Sequence, residues 1–580
     1  MAKKALMMGN EALARGAWEA GCTVSTAYPG TPATEINEFM SRYEDVNTEW
    51  SANEKVALEV GIGSALAGAR TLVSMKHVGI NVAADPLFSV VYAGVNAGLV
   101  IVTADEPGLH SSQNEQDNRM YAKFAEVPMF EPSDAEEARE MVKRAFEVSE
   151  EFDTPVFIRM TTRICHTKSV VELGERQEVP TREYKKDPKK NAMIPAYAYD
   201  RHYVLEARND RLAEMVEKAP ENRIEMRDKR WGVITSGISY QNVREAMPEC
   251  SVLKIGLTYP LPEQMIRDFA EQVDELYVIE ENRPFLEEAV KVLGVKVEGK
   301  ERILGVGELS ATILKDRIRH QKSPQKAAAE NVPARPPQFC PGCGHRGIFH
   351  ILRKLKAVVH GDIGCYTLGV LPPFTSIDSC VCMGASVTMN HGFTKVEKIG
   401  ETDKPSVAVI GDSTFFHSGL TGLASSVFNR STGTVIVLDN RITGMTGHQP
   451  NPSTGKNLGG IECPRLDVAD IAKAMGVKNV REIDAFDLKT CEEVIKEEIN
   501  RPELSVIVAN ERCIMIEKTK YAAPYAVTED CKNCKVCLKV GCPAITMVDG
   551  KVQILDYMCD GCGVCSQVCP FDAIKQKEAK

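Results

Sequence analysis

Three stretches of the chain alternate short apolar runs with longer amphipathic segments. In the first stretch, residues 1–175, the apolar runs include residues 71–75 and residues 99–103. Apolar runs of this length, separated by helical patterns, predict buried strands of a parallel sheet that are joined by helices. The same pattern returns in residues 229–318 and in residues 338–520. We therefore predict an α/β fold class for this part of the chain.

The segments between these stretches are polar. Residues 176–228 are rich in charged side chains and are interpreted as a linker region. Residues 319–337, rich in Lys, Ala, Pro and Gln, are interpreted as a second linker. Residues 525–580 contain a cysteine-rich run twice, and we expect a separate small α+β domain there. A chain of 580 residues is long enough for several domains with separate cores.

Composition argues against several classes of function. The formal net charge is −10 and no Lys/Arg-rich run is present, so a nucleic-acid partner is not expected. The longest uncharged stretch, residues 86–104, contains Pro, Asn and Gly and predicts a buried helix and strand rather than a membrane span. Nineteen cysteines without a recognisable secretory signal indicate reduced thiols and metal ligands. We expect a cytoplasmic protein of an anaerobe, since exposed clusters and thiolates oxidise readily.

The two C-terminal cysteine runs have the spacing of iron–sulfur ligands. The first is Cys531-x2-Cys534-x2-Cys537-x4-Cys542-Pro, and the second is Cys559-x2-Cys562-x2-Cys565-x3-Cys569-Pro. In bacterial two-cluster ferredoxins, three cysteines of each run bind one [4Fe–4S] cluster and the cysteine before proline binds the other cluster. The predicted ligand sets are Cys531, Cys534, Cys537 and Cys569 for one cluster, and Cys559, Cys562, Cys565 and Cys542 for the other. Zinc knuckles and disulfides are the alternatives.

Two predicted strands in residues 338–520 end in polar side chains. The candidate residues are Gly411, Asp412 and Ser413 after the first strand, and Asn440 and Ile442 after the second. Ligands of open α/β sheets bind at the carboxyl ends of strands, and Mg²⁺ prefers hard oxygen ligands together with phosphate. Asp412, Asn440 and the carbonyl group of Ile442 could therefore bind Mg²⁺ and a diphosphate, with Gly411 allowing close approach of the backbone. An ordinary turn after a strand is the alternative.

This spacing resembles the Gly-Asp-Gly…Asn motif of thiamine-diphosphate enzymes, with Ser413 at the second glycine position. Such enzymes need a glutamate that hydrogen-bonds the aminopyrimidine ring of the cofactor. Residues 51–61 resemble the pyrimidine-binding segment of these enzymes and place Glu54 at the catalytic position, with Glu59 as the runner-up. The structural alternative for Glu54 is an acid favoured by the dipole at a helix N-terminus.

Further segments resemble the 2-oxoacid:ferredoxin oxidoreductases. Residues 28–32, Tyr-Pro-Gly-Thr-Pro, are similar to a signature of that family, and Thr31-Pro32 also predicts the start of a helix over residues 32–42. Residues 339–345 resemble the Cys-Pro-x-Cys-Gly segment that opens the diphosphate domain. The order of domains resembles the large subunit of the members that act on arylpyruvates. It runs from a pyrimidine-binding domain (1–175) through a transketolase C-terminal-like domain (229–318) and a diphosphate domain (338–520) to a ferredoxin-like domain (525–580).

The resemblance to this family implies a reaction, a set of cofactors and a partner subunit. It implies oxidative decarboxylation of arylpyruvates, such as indolepyruvate and phenylpyruvate, to aryl-acetyl-CoA with reduction of ferredoxin. The implied cofactors are thiamine diphosphate, Mg²⁺ and two [4Fe–4S] clusters, with coenzyme A as co-substrate. A smaller β subunit is implied as partner, in an α2β2 complex. Thr31 would contact the substrate carboxylate or the intermediate.

The resemblance also implies a third [4Fe–4S] cluster close to the thiamine cofactor. Its ligands would be Cys340, Cys343, Cys365 and Cys513. The alternative is that Cys340 and Cys343 only turn the chain beside the cofactor while Cys513 is a core thiol.

Other functions remain open at this point. A sibling oxidoreductase acting on pyruvate or branched 2-oxoacids would differ only in the shape of the substrate pocket. A non-oxidative thiamine decarboxylase would have no use for the cysteine-rich domain, and an electron-transfer subunit without catalysis would not need Glu54, Asp412 and Asn440. Arg119 is either a clamp for a carboxylate or a solvated surface residue. The roles of His77, His110 and His448 are also open.

Overall fold

A computed structural model describes residues 3–303, 305–321, 332, 335–397, 405–516 and 522–578. The chain divides into two compact units, Met1–Ala328 and Ala329–Lys580, which are described separately below. The division falls within the predicted linker 319–337, of which residues 322–331, 333 and 334 lie outside the described residues. None of the helices in the described ranges combines the length and the apolar character that a membrane span needs.

The N-terminal unit alternates strands and helices along most of its length. Its strands are β1 (Lys3–Met8), β2 (Val24–Ala27), β3 (Asn47–Trp50), β4 (Thr71–Lys76), β5 (Leu99–Asp105), β6 (Met129–Phe130), β7 (Val156–Thr161), β8 (Lys168–Leu173), β9 (Arg223–Glu225), β10 (Asp228–Thr235), β11 (Cys250–Lys254), β12 (Leu257–Tyr259) and β13 (Glu275–Ile279). Its helices are α1 (Gly9–Glu19), α2 (Thr34–Met40), α3 (Glu54–Leu66), α4 (Gly79–Val82), α5 (Ala84–Ala93), α6 (Arg119–Ala125), α7 (Ala135–Phe152), α8 (Thr162–His166), α9 (Pro188–Asn191), α10 (Pro195–Val216), α11 (Gly237–Ala246), α12 (Glu263–Ala270), α13 (Phe285–Val292) and α14 (Ala311–Arg317).

A seven-stranded sheet forms the centre of this unit, in the order β12-β6-β7-β5-β4-β2-β3. Its strands are parallel except β12, which runs antiparallel to β6. Every residue of β5 and β7 is buried, as expected for parallel strands that are covered on both faces. One core, with Leu13 and Phe146, covers one face, and a second core, with Leu58 and Val90, covers the other. The predicted parallel α/β sheet is confirmed.

The segments after residue 175 are joined closely to this sheet. Residues 176–228 contain the 22-residue helix α10, whose buried Arg208 donates a hydrogen bond to the Val91 carbonyl group (2.8 Å). Strands β13, β10, β11 and β9 form a second sheet with its own cores. Strand β12 leaves that region and extends the large sheet instead.

The C-terminal unit contains a sheet domain followed by the cysteine-rich tail. Its strands are β14 (Val358–Gly361), β15 (Ser379–Cys380), β16 (Ser406–Gly411), β17 (Thr434–Asp439), β18 (Asn479–Asp484), β19 (Ser505–Asn510), β20 (Tyr525–Val527), β21 (Ile545–Val548), β22 (Lys551–Ile554) and β23 (Ile574–Gln576). Its helices are α15 (His345–Leu355), α16 (Ala385–Glu397), α17 (Asp412–Thr414), α18 (Leu420–Phe428), α19 (Val468–Ala474), α20 (Leu488–Glu498) and α21 (Val564–Gln567). A short π-helix (Phe415–Gly419) joins α17 to α18. Short 3₁₀-helices span Cys365–Val370 and Val536–Val540.

The sheet of this unit is wholly parallel, in the order β15-β14-β16-β17-β19-β18. Parallel strands bring all their carboxyl ends to one edge, so the residues after β14, β16 and β17 are neighbours. The tail consists of two antiparallel strand pairs, β20 with β23 and β21 with β22, around a small core that includes cysteines. The predicted fold class, α/β sheets followed by an α+β tail, is confirmed.

A buried ionic network joins the two sheets of the N-terminal unit. The guanidinium group of Arg119 is 1% exposed and donates to Asp117 (2.6 Å) and to Glu280 (2.6 Å), which follows β13. Its Nη2 also donates to the Glu281 and Arg283 carbonyl groups. The interpretation of Arg119 as a solvated surface residue is therefore wrong. Its donors are already used within the protein, so a carboxylate clamp would have to displace these partners.

Replacing Arg119 should destabilise the N-terminal unit strongly. In Arg119→Met, Asp117 and Glu280 lose their buried cation, and breaking such a pair costs about 3–5 kcal/mol. The matched control is Arg163→Met, because Arg163 is 61% exposed and pairs with Glu308 at the surface, where a pair contributes about 0–1 kcal/mol. Urea unfolding of both variants measures the difference. Equal midpoints for the two variants would contradict a stabilising role for the network.

Candidate functional site

In the N-terminal unit, Glu54 lies at the beginning of α3, just beyond the carboxyl end of β3. Asn53 caps this helix, since its side chain accepts a hydrogen bond from the Val56 N–H group (2.9 Å). Glu54 is 4% exposed, and a Cβ atom placed on Gly79 would lie 2.7 Å from Glu54 Cγ. The backbone at Gly79, which follows β4, is therefore packed directly against the Glu54 side chain.

Glu59 is in a different environment. Its side chain is 46% exposed and pairs with Lys55 on the outer face of α3. An exposed ion pair of this kind is common on helix surfaces. The structure therefore distinguishes the two candidate glutamates: Glu54 is enclosed at the strand edge, and Glu59 faces solvent.

Thr31 lies at the same edge of the sheet as Glu54, because β2 is parallel to its neighbours β3 and β4. The predicted helix over residues 32–42 is too long, since α2 spans only Thr34–Met40. The reason is local: the Ala33 N–H group donates to the Gly30 carbonyl group (2.8 Å), so Thr31 and Pro32 occupy the centre of a turn.

The histidines of this unit differ in their environments. His77 follows β4 and is fully buried, and burial together with the charge of Lys76 lowers its pKa to about 4. The His77 Nε2 atom lies 3.3 Å from the Asn114 carbonyl oxygen, and its Nδ1 atom has no hydrogen-bond partner among the described residues. His110 is a surface residue that faces Glu308. Of these two histidines, His77 is the one enclosed at the strand edge.

In the C-terminal unit, Asp412 lies at the carboxyl end of β16 and is almost fully buried. Its Oδ2 atom accepts hydrogen bonds from Asn451 Nδ2 (2.9 Å) and from the Ser453 hydroxyl group. Burial, and then the charge of Asp439, raise the pKa of Asp412 to about 7. A bound cation would lower the pKa of Asp412 again and so favour its ionised carboxylate.

The other predicted residues lie at the same sheet edge as Asp412. Asn440 follows β17, the neighbour of β16, and its Oδ1 atom accepts from the Ile442 N–H group (3.3 Å). The Thr443 hydroxyl group donates to Ser413 Oγ (2.9 Å), which links the two strand ends.

Gly411 is required sterically, because a Cβ atom there would lie 2.6 Å from a ring carbon of Tyr366. His448, in the same loop as Thr443, donates its N–H group to the Thr443 carbonyl group (3.0 Å).

Sequence reasoning missed Asp362, which follows β14 as Asp412 follows β16. Its carboxylate is fully buried and accepts from the N–H groups of Gly384 (2.8 Å) and Ser386 (3.1 Å), so it holds the loop that leads into α16. Burial raises the pKa of Asp362 to about 6. The signal was present in the sequence, because Gly361-Asp362 after a strand repeats the pattern Gly411-Asp412.

The eight tail cysteines surround two separate cavities. One cavity is lined by Cys531, Cys534, Cys537 and Cys569, and the other by Cys542, Cys559, Cys562 and Cys565. We call these the outer cysteine set and the inner cysteine set. Each cavity thus collects three cysteines of one run and the Cys-Pro cysteine of the other. Within the described ranges, no three His, Cys, Asp or Glu side chains converge on one point as ligands of a single metal ion.

A further cysteine set lies beside the Asp412 edge. It consists of Cys340, Cys343, Cys365 and Cys513 and is called here the sheet-edge set. Burial, and then the nearby charges of Cys513 and Cys340, raise the pKa of Cys365 to about 11. Burial likewise raises the pKa of Cys343 to about 12, with contributions from Cys340 and Cys365. The Cys513 N–H group donates to the Asn440 carbonyl group (3.2 Å), which links this set to the Asp412 edge.

Arg346 connects the sheet-edge set to the inner set. Its guanidinium group is 1% exposed, and Nη2 donates to the Phe339 (2.8 Å) and Cys340 (2.7 Å) carbonyl groups. Its Nη1 atom donates to the Val540 (3.1 Å) and Gly541 carbonyl groups, which directly precede Cys542. These partners are all neutral, and Arg346 forms no salt bridge among the described residues; the inner cysteines and Asp560 line the same cavity.

The buried positive charge of Arg346 bears on whether the nearby cysteines could bind iron as thiolates. Burial raises the pKa values of Cys343, Cys542 and Cys562, and the positive charge of Arg346 lowers them. Arg346 is therefore close to thiols of both sets. A buried cation is costly unless a negative charge compensates it. Thiolates bound to iron would supply that negative charge on both sides of Arg346. The residues present therefore fit iron–sulfur ligation.

Comparison with known families agrees with this arrangement. Residues 15–229 match the family described as pyruvate flavodoxin/ferredoxin oxidoreductase, thiamine diP-binding. Residues 362–509 match the C-terminal TPP binding domain of thiamine pyrophosphate enzymes, and residues 523–570 match a 4Fe-4S dicluster domain. Thiamine diphosphate and iron–sulfur clusters are therefore the cofactors of these regions.

Curated relatives match over nearly the whole chain. Indolepyruvate oxidoreductase subunit IorA of Thermococcus kodakarensis is 39% identical, with 99% of this chain and 97% of the relative covered. The subunits of the same name from Archaeoglobus fulgidus and Methanothermobacter thermautotrophicus are 38% and 36% identical, again over 99% of this chain and 97% of each relative. The chain therefore belongs to the indolepyruvate oxidoreductase IorA family, within the thiamine-dependent 2-oxoacid:ferredoxin oxidoreductases.

Proposed function

We propose that this chain is the catalytic subunit of an enzyme that oxidatively decarboxylates arylpyruvates to aryl-acetyl-CoA and passes the electrons to ferredoxin. The relatives named for indolepyruvate support the choice of arylpyruvates such as indolepyruvate and phenylpyruvate. The reaction consumes a 2-oxoacid and coenzyme A. It releases carbon dioxide, and the two electrons removed from the substrate carbon leave one at a time through iron–sulfur centres.

One observation supports this proposal above all others. Within one unit, the sheet-edge set lies beside Asp412 and Asn440, and Arg346 connects that set to the inner set of the tail. A decarboxylase without a redox step would not need this arrangement. An electron-transfer subunit without catalysis would not need the strand-end residues.

The residues of each unit have distinct tasks in this scheme. Thiamine diphosphate, when bound, supplies the carbon nucleophile and the electron sink for decarboxylation. Glu54 would hold a proton between its carboxylate and the cofactor's pyrimidine ring, and its enclosure keeps water from that proton. Thr31, at the same edge, would contact the substrate carboxylate. Asp412, Asn440 and the Ile442 carbonyl group would bind Mg²⁺, while Gly411 and Ser413 would accept the diphosphate.

In this proposal, the three cysteine sets act one after another in electron transfer. The sheet-edge set would hold the cluster nearest the cofactor. The inner set comes next, because Pro341, Gly342 and Arg346 line its cavity together with its cysteines. The outer set is last and includes Cys534, which is exposed to solvent. Ferredoxin would accept electrons there. We further propose a smaller β subunit as partner, an α2β2 complex and a cytoplasmic location.

A panel of 2-oxoacids tests the proposed reaction. Anaerobic holoenzyme should reduce methyl viologen with indolepyruvate or phenylpyruvate plus coenzyme A, and much more slowly with pyruvate, 2-oxoglutarate or branched 2-oxoacids. Glu54→Gln should lower this rate about 10²- to 10⁴-fold, the usual loss when a general acid–base group is removed, while Glu59→Gln keeps it. A preference for pyruvate would contradict the arylpyruvate assignment, and a fully active Glu54→Gln enzyme would contradict the role of Glu54.

Cofactor binding tests the strand-end residues without relying on turnover. Asp412→Ala and Asn440→Ala should each weaken Mg²⁺-dependent binding of thiamine diphosphate at least about tenfold in calorimetry, because a metal ligand is lost. The matched control is Asn510→Ala, at the end of the neighbouring strand β19, where no loss is expected. Circular dichroism confirms folding of each variant. Unchanged affinity in Asp412→Ala would exclude the proposed Mg²⁺ site.

Iron content tests the sheet-edge set. Anaerobically purified chain should contain about twelve irons, since each [4Fe–4S] cluster carries four and three sets are available. Cys513→Ser should lower this to about eight. The control Cys491→Ser alters a buried thiol whose Sγ donates to the Asp484 carbonyl group (3.1 Å), and should leave the iron content unchanged. About eight irons in all three proteins would mean that only the tail binds clusters.

A further inference from the structure

A basic groove of about 860 Å³ lies between the sheet domain and the tail of the C-terminal unit. Its walls come from α15 and α20 of the sheet domain and from the tail segments around Val536 and Val568. The charged residues that line it are Arg353, Lys354, Lys356, Lys489, Lys539 and Glu492. Five cations thus face one carboxylate, and Glu492 is already paired with Lys354 (2.6 Å). The excess of positive charge is notable on a chain whose formal net charge is −10.

Local structure does not account for all of these cations. Arg353, Lys354 and Lys356 lie at the C-terminal end of α15, where the helix dipole favours positive charge. Lys489 lies in the first turn of α20, where the dipole disfavours it. Neither Lys489 nor Lys539 forms an ion pair within the described residues. Both side chains are exposed and so are accessible to an anionic partner, although the charge of Lys489 already acts on Asp487, the N-cap of α20.

The groove borders the outer cysteine set. Val536 and Val568, which line the groove, directly precede Cys537 and Cys569 of that set. The first cysteine run also carries Lys532 and Lys535 beside its ligands, whereas the second run carries Asp560 and no lysine. Exposed Glu529 and Asp530 directly precede Cys531, so the excess of positive charge beside the outer set, the one with a solvent-exposed cysteine, lies along the groove.

We propose that this groove docks a small acidic electron-carrier protein and orients it towards the outer cysteine set. The inference rests on the proposed function, because it assumes that electrons leave through the tail. Complementary charge raises the rate of encounter and fixes orientation, and redox partners use small, transient interfaces. An acidic protein suits the site better than a small phosphorylated ligand, because all five cations are exposed along an open groove, whereas small-ligand pockets enclose most of their ligand.

Charge reversal on the sheet-domain wall tests this docking site. The variant Lys356→Glu with Lys489→Glu leaves the cysteine runs untouched. Its matched control, Lys185→Glu with Lys186→Glu, makes the same change in net charge at exposed positions of the N-terminal unit. Anaerobic holoenzyme of each is assayed with an acidic ferredoxin and, separately, with methyl viologen, over a range of NaCl concentrations.

At low salt, the groove variant should have a kcat/KM for ferredoxin about tenfold or more below that of the control variant. At high salt, the difference in kcat/KM between the two variants should become smaller. Viologen reduction should stay within about twofold of wild type, because a small dye needs no docking site. Equal ferredoxin kinetics in both variants would overturn the proposal. So would a raised KM for coenzyme A, or loss of a co-purifying subunit, since the groove would then serve those partners. Failure of wild-type enzyme to reduce viologen with any 2-oxoacid would instead refute the proposed function.

Discussion

The architecture of the C-terminal unit depends on one buried cation. Arg346 lies in the first turn of α15 and donates to carbonyl groups on both sides of it, at Phe339 and Cys340 and at Val540 and Gly541. These contacts fix the segment before Cys542 against the segment that contains Cys340. The tail is therefore attached to the sheet domain at the point where the two cysteine sets approach each other. An arginine suits this task because its planar group can direct several donors at once.

The two units compensate the charge of their buried arginines differently. In the N-terminal unit, Arg119 and Arg159 are enclosed by the carboxylates Asp105, Asp117, Glu131 and Glu280, so negative charge exceeds positive charge. Burial, assisted by the charge of Asp117, raises the pKa of Asp105 to about 6. That network is complete within the protein and serves stability. Around Arg346 no carboxylate partner is found among the described contacts, and under the proposed function the cluster thiolates would supply the compensating negative charge.

Local sequence signals predicted much of this site, because several of its elements are set by nearest neighbours along the chain. Fully apolar runs such as residues 406–410 predicted buried parallel strands, and the residues that follow them lie at the strand ends as expected. The spacing of the tail cysteines predicted which four would share a cavity, even with the longer interval before Cys542. The contacts that depend on distant segments were not predictable. Strand β12 extends a sheet more than a hundred residues earlier in the chain, and neither Arg346 nor Asp362 carries a motif that identifies its partners.

The distribution of exposure in the C-terminal unit supports the proposed direction of electron flow. The sheet-edge set is partly buried next to the strand ends where the chemistry would occur, and the inner set is covered by residues of the sheet domain. The outer set alone includes an exposed cysteine, and positive side chains lie around it. Burial restricts exchange with solvent at the first two sets, while the third can be reached by a protein partner. Under the proposed function, one chain would protect a reactive centre from water and still deliver single electrons to its surface, because the three sets lie in succession from the sheet edge outwards.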